Sequence, residues 1–168
     1  MVNVEKNFLS KDIHSALLNL IKCDDFAWFQ TKTLKDLKND DIQFCHSLYN
    51  NNNVASKYFD AFQPLFQKIG IKIFHRVKLN LTFRDTENKI KGGYHHDFYW
   101  KEKPLEELKI AIYYFNTTNG KTLIKENNNI KEIECVENTL LRFPNTLEHT
   151  GTTHTDTPFR YVLNINYI

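Results

Sequence analysis

The chain has 168 residues, 41% apolar and 25% charged, which is ordinary for one folded globular unit and too short for two large ones. A formal net charge of +2 excludes the strong electrostatic footprint of a nucleic-acid or acidic-membrane binder. No apolar run reaches membrane-spanning length, residues 1–6 do not read as a signal peptide, and Cys23, Cys45 and Cys135 form no CxxC pair, so a cytoplasmic protein with reduced, mostly buried thiols is expected.

Ser10 is a good helix N-cap, and Ile13, Ala16, Leu17, Leu20 and Ile21 follow at helical spacing, which predicts an amphipathic helix covering a sheet. Residues 24–53 are irregular. Within them Phe26, Trp28 and Phe29 suggest a short strand, Phe44, His46 and Leu48 a second, and 50–53 a polar loop. Val54, Tyr58, Phe62, Leu65 and Ile69 then predict a second helix closed by Gly70, with Pro64 either kinking it or starting a new turn. His46 and His75 belong to these framework segments and are expected to be hydrogen-bonded structural histidines.

From Ile71 the period changes to two. Val77, Leu79, Leu81 and Phe83 alternate with Arg76, Lys78, Asn80 and Thr82, a strand with two different faces. A polar loop over 85–91 and Gly92-Gly93 precede the stretch Tyr94-His95-His96-Asp97, where the glycines let the backbone turn. Further strands are predicted at 108–115, 121–125, 130–136, 140–143, 147–151 and 159–167, with turns at 116–120 and 127–129. The expected fold is a single α+β domain, mainly β with N-terminal helices. Residues 1–70 form a helical buttress with flanking strands, and 71–168 a jelly-roll or cupin-like barrel.

His95 and Asp97, two apart on an extended segment, project from one face. With one more histidine they make a three-point site for a divalent metal. Two imidazoles and a carboxylate suit Fe(II) with open positions and equally a catalytic zinc. His149 and His154 are the candidates for the third ligand. Pairing 147–151 with 159–167 as a hairpin would bring His149 near Arg160 and leave His154 at the tip, in water, which favours His149. On the last strand Arg160, Val162, Asn164 and Asn166 share one face, and Tyr161, Leu163, Ile165 and Tyr167 the other. A face with Arg and two Asn fits a polar cavity, in which a guanidinium can grip a carboxylate by two hydrogen bonds. Tyr114 can add a hydroxyl, although alternation puts only one of Tyr113 and Tyr114 inside.

The ordered set His95-His96-Asp97, Ala111-Ile112-Tyr113-Tyr114-Phe115-Asn116, Asn138-Thr139-Leu140-Leu141-Arg142-Phe143-Pro144, His149-Thr150-Gly151 and Arg160 resembles the prolyl-4-hydroxylase-like 2-oxoglutarate and Fe(II)-dependent oxygenases, closest in style to small phage and bacterial members. The resemblance runs from Val77 to Ile168. It implies a double-stranded β-helix, with His95, Asp97 and His149 as iron ligands. It also implies that Arg160, with Tyr114, holds the distal carboxylate of 2-oxoglutarate. The implied reaction uses O2 and couples decarboxylation of 2-oxoglutarate to succinate with hydroxylation of a C–H bond, ascorbate serving as a supporting reductant. The substrate would be a small molecule or a peptide, and the setting the cytoplasm, including that of a phage-infected host. Asn80 is the candidate for the C1 carboxylate. A non-catalytic cupin-like barrel that binds metal or carboxylate is the alternative.

Overall fold

The computed structural model describes residues 1–32, 42–127 and 129–168. Residues 33–41 of the irregular stretch and Asn128 of the turn expected at 127–129 lie outside the described residues. In chain order the elements are β1 (Asn3–Lys6), α1 (Lys11–Lys22), β2 (Phe29–Lys32), β3 (Ile42–Asn50), β4 (Asn53–Val54), a 3-10 turn (Phe59–Phe62) and α2 (Gln63–Ile69). There follow β5 (Phe74–Phe83), β6 (Ile90–His95), β7 (Tyr99–Trp100), β8 (Lys103–Pro104), β9 (Lys109–Tyr114) and β10 (Thr118–Glu126). The last are β11 (Asn129–Cys135), β12 (Thr139–Pro144), β13 (His149–Thr152) and β14 (Phe159–Tyr167). No helix among the described residues is long and apolar enough to cross a membrane.

The Ser10 hydroxyl accepts a hydrogen bond from the Ile13 amide at 3.4 Å, capping α1 as its sequence predicts. The helix expected over 54–69 is divided instead. Asn51 and Asn52 take positive φ (51° and 60°) in a two-residue turn, and Val54 pairs with Tyr49 as β4. Pro64, which has no amide hydrogen to give a preceding carbonyl, sits in the first turn of α2, where none is needed. Gly70, at φ 79°, closes α2.

Among the described residues the strands form a large sheet in the order β1-β12-β9-β14-β5-β3-β2, with β4 on β3, and a smaller one in the order β11-β10-β13-β6. Pairing in both is antiparallel. The helices cover one face of the large sheet. There Ile21, Phe62 and Leu65 pack on Val77, Leu79, Ala111, Tyr113, Leu163 and Ile165, all essentially without exposure. The other face meets the small sheet through Ile110, Ile112, Tyr114, Leu141 and Phe143 against Ile124, Ile133 and Cys135. Each such Val, Leu, Ile or Phe side chain contributes about 1.5–3 kcal/mol by burial.

Three expectations are corrected here. Strands β13 and β14 do not form a hairpin: β13 pairs with β10 and β6, and β14 with β5 and β9, so they lie in opposite sheets. His154 is not at a solvated tip but fully buried. Tyr113 and Tyr114 are both fully buried, because the large sheet is covered on both faces and alternation merely sends them to different compartments. Of the cysteines, expected to be mostly buried, only Cys135 is; Cys45 is partly buried and Cys23 exposed, and none is in a disulfide. His46 is a framework residue, bonded to Ala27 O at 2.7 Å and Ser56 Oγ at 2.6 Å, and the His75 ring lies 4.1 Å from that of Phe98.

Candidate metal centre and cavity

Strands β6 and β13 set His95 and His149 directly opposite each other, with ring centroids 4.5 Å apart. The glycines serve this placement from inside β6. Gly93, at φ 72°, lies where the pairing with β13 slips, and such a bulge re-aims the following side chain. The Gly93 carbonyl then meets His95 Nδ1 at 3.2 Å, which leaves Nε2 to face the Asp97 carboxylate at 3.7 Å. Ligand atoms of His95, Asp97 and His149 all lie within 4.8 Å of one another, a spacing that one ion closes by small side-chain rotations.

Asp97 stands just past the end of β6, and its position comes from elsewhere. The fully buried Asn145, which follows β12, accepts hydrogen bonds from the Asp97 and Phe98 amides at 3.1 and 3.2 Å. Its own amide donates to Phe98 O and Leu105 O at 2.8 and 3.2 Å. The carboxylate accepts from Asn166 Nδ2 at 2.7 Å and pairs with Arg76 at 3.1 Å. Burial alone would raise the Asp97 pKa, but Arg76, His149 and Asn166 outweigh it and the net shift is downward, toward the ionised form. Burial pushes the His149 pKa down to about 4 against the pull of Asp97, so its ring is neutral and its lone pair is available near pH 7. His149 Nδ1 is buried with no hydrogen-bond partner among the described residues. The donor set, two imidazoles and one ionised carboxylate, fits Fe(II).

These residues open onto a cavity of about 390 Å3 between the sheets. Arg160, Val162 and Asn164 of β14 and Lys78, Asn80 and Thr82 of β5 line it, which are the polar faces read from the alternation. Arg160 is 7% exposed, and its Nη1 donates to Thr152 O at 3.0 Å. Among the described residues no carboxylate pairs with it, and Nε is buried without a partner. An isolated buried guanidinium is costly, and an anionic ligand relieves that cost. Tyr114 does not reach the cavity wall. Its ring lies 5.8 Å from the Arg160 guanidinium, and its hydroxyl, whose pKa burial raises, bonds at 2.7 Å to Thr122, which does line the cavity. Gly120 makes room at this end: a methyl there would stand 3.1 Å from Arg160 Nη1, 3.0 Å from Thr153 O and 3.2 Å from His154 Cβ.

Asn145, Gly120 and the cavity-facing Arg76 and Lys78 are missing from the candidates drawn from sequence. For Arg76 and Lys78 a signal was present, since they share the polar face of β5 with Asn80. For Asn145 and Gly120 none was, because their importance lies in contacts with distant segments.

The sequence matches no protein-family model and no curated protein. Solved structures match it over 99% of its length. A prolyl hydroxylase from Trichoplax adhaerens, in complex with a hypoxia inducible factor peptide fragment, aligns over 83% of its own chain with TM-score 0.71 and 12% identity. The α-ketoglutarate-dependent non-heme epimerase of nogalamycin biosynthesis aligns over 77% of its chain with TM-score 0.72 and 9% identity. The viral collagen prolyl hydroxylase of Paramecium Bursaria Chlorella virus-1, in its 2-oxoglutarate complex, aligns over 96% with TM-score 0.60 and 13% identity. The fold is therefore the double-stranded β-helix of the 2-oxoglutarate oxygenases.

Proposed function

We propose that the protein is a 2-oxoglutarate- and Fe(II)-dependent oxygenase that hydroxylates a C–H bond of a small molecule or peptide. The observation that carries this reading is one cavity with a His95–Asp97–His149 cluster at one end and a buried, carboxylate-free Arg160 at the other. A dicarboxylate with a 2-keto group can answer both ends at once. Bound iron would supply the activation of O2 that decarboxylates 2-oxoglutarate to succinate and oxidises the substrate, with ascorbate as a supporting reductant.

The residues of the chain do the rest. His95, neutral His149 and ionised Asp97 would hold the metal. Asn166 and Arg76 fix the carboxylate, and Asn145 fixes the backbone that carries it. Arg160 receives the distal carboxylate by charge-assisted hydrogen bonds, backed by the Tyr114 ring and by Thr122. Asn80, on the cavity wall, remains the candidate for the C1 carboxylate. A zinc hydrolase is disfavoured because Asp97 is the only carboxylate among the described cavity residues, which leaves none to act as general base. A non-catalytic barrel would not need the two-ended arrangement.

The test is anaerobic addition of Fe(II) and then 2-oxoglutarate. The visible charge-transfer band of the chelate is expected, followed by succinate formation on admitting air. A protein that binds no 2-oxoglutarate under these conditions is not such an enzyme.

A further inference from the structure

The cavity carries more positive charge than the proposed reaction uses. Its charged lining residues are Arg76, Lys78, Arg160 and Asp97, besides the two histidines. Fe(II) and the 2-oxoglutarate dianion cancel each other, which leaves Arg76, Lys78 and Arg160 against the single negative charge of Asp97. Two cations, Arg76 and Lys78, then share that one carboxylate, which the metal also draws on.

Their placement is as specific as their charge. Both lie on the cavity face of β5, two residues apart. In the pairing with β14, Arg160 stands opposite Thr82 whereas Asn164 and Asn166 stand opposite Lys78 and Arg76. The pair therefore sits about 13–20 Å along the strands from the Arg160 row, at about 3.4 Å per residue, and so at the metal end. Arg76 is fixed by Asn166 Oδ1 at 3.0 Å, by Asp97 at 3.1 Å and by the Phe98 ring at 4.8 Å. Lys78 has no hydrogen-bond or ion-pair partner among the described residues; Asn80, next along this face, is held by Gln43 at 2.7 Å. Burial and the neighbouring Arg76 lower the Lys78 pKa, outweighing the opposing pull of Asp97.

We propose that Arg76 and Lys78 form an oxyanion subsite beside the metal, and that the substrate oxidised there is a small molecule held by its own carboxylate or phosphate. This rests on the oxygenase reading above and extends it to the class of substrate. An anionic group between the two side chains would offset the excess positive charge of the cavity and hold the rest of the molecule next to the metal, with its direction fixed by a two-point contact. A neutral prolyl side chain in a peptide would leave Lys78 unanswered.

Calorimetric titration of acetate and, separately, sulfate into the anaerobic Fe(II) protein tests this, using wild type, Lys78→Met and Arg160→Leu. Wild type and Arg160→Leu should bind at least one of the two anions with similar affinity, and Lys78→Met should bind it roughly 10-fold or more weakly. Affinity of Lys78→Met for 2-oxoglutarate should stay within about twofold of wild type. A preference for acetate identifies a carboxylate substrate and a preference for sulfate a phosphate ester. Equal anion affinity in wild type and Lys78→Met, no anion binding by wild type, or a parallel loss of 2-oxoglutarate affinity would overturn the subsite. Failure of the oxygenase reading looks different: wild type would then not bind 2-oxoglutarate, whatever the anions do.

Discussion

Strands β9 and β14 are neighbours in one sheet and present the same kind of apolar face to the helices, yet their inner faces differ and meet only where Ile112 and Val162 border the cavity. On β9 the interior receives Ile110, Ile112 and Tyr114, interlocked with Leu141 and Phe143 of β12. On β14, and on β5 beside it, the interior receives Arg160, Val162 and Asn164 with Lys78, Asn80 and Thr82. One half of the space between the sheets is filled by side chains and the other half is kept hollow by side chains that prefer water or a ligand to each other. Stability is thus concentrated on one side and chemistry on the other.

The largest effect should come from emptying the metal end of the hollow half. Asp97→Ala or His149→Ala removes a ligand outright, and Fe(II) affinity should fall on the order of 1000-fold or more, beyond the roughly 10–100-fold usual for supporting residues. Anaerobic Fe(II) titration measures it, with circular dichroism showing that Asp97→Ala still folds.

The filled half answers to a different measurement. Ile110→Ala, at a position with no exposure, should cost about 2–5 kcal/mol in urea unfolding, whereas Thr82→Ala on the hollow side should stay within about 0.5–1 kcal/mol. Equal costs would erase the distinction between the halves.

Acid should weaken the metal-free protein through the hollow half. The His149 pKa is near 4 when folded and about 6.5 when unfolded, so the unfolded chain binds the extra proton between these values. The associated stability is fully present above about pH 6.5 and is lost as pH falls through 4, a change of about 3 kcal/mol. Asp97, whose pKa is also lowered, adds a further loss below about pH 4. Urea unfolding of wild type and His149→Phe at pH 7 and pH 4.5 checks this, with a flatter profile expected for the variant.

Arg160→Leu should reduce 2-oxoglutarate affinity by roughly 10- to 150-fold, with Fe(II) affinity unchanged and partial rescue by Lys. The smallest effect belongs to Tyr114→Phe. It breaks one hydrogen bond to Thr122, should cost about 1 kcal/mol of stability, and should weaken 2-oxoglutarate binding only a few-fold in the same titrations.

How legible this was depended on the range of the interaction. The alternation of Val77, Leu79 and Leu81 with Arg76, Lys78 and Asn80 announces a two-faced strand, and the last strand reads the same way, because a side chain's face on a strand is a local property. Which strands pair is not local. Residues 147–151 and 159–167 look like a hairpin in sequence, but β13 and β14 go to opposite sheets, so His149 and Arg160 face the same cavity from its two walls and are not paired along a ladder. The same crossing buries His154. Likewise nothing within Tyr113-Tyr114 reveals that both sides of their sheet are covered, one by helices and one by a second sheet. Nothing in the sequence singles out Asn145, and only the folded chain brings Asp97 to it.

Gly120 decides how far back the guanidinium can retreat. Because Gly120 has no side chain, the Arg160 guanidinium lies against its backbone, with Nη1 3.1 Å from where a methyl would begin. Any side chain there would require the guanidinium or its neighbours to give way by a few tenths of an ångström or more. In an enzyme of the proposed kind, the gap between iron and arginine is the gauge against which an acid is measured, and too short or too long a molecule cannot touch both ends. The length discrimination of the pocket would then be set in part by a side chain that is not there, on a strand that supplies neither of the two contacts it spaces.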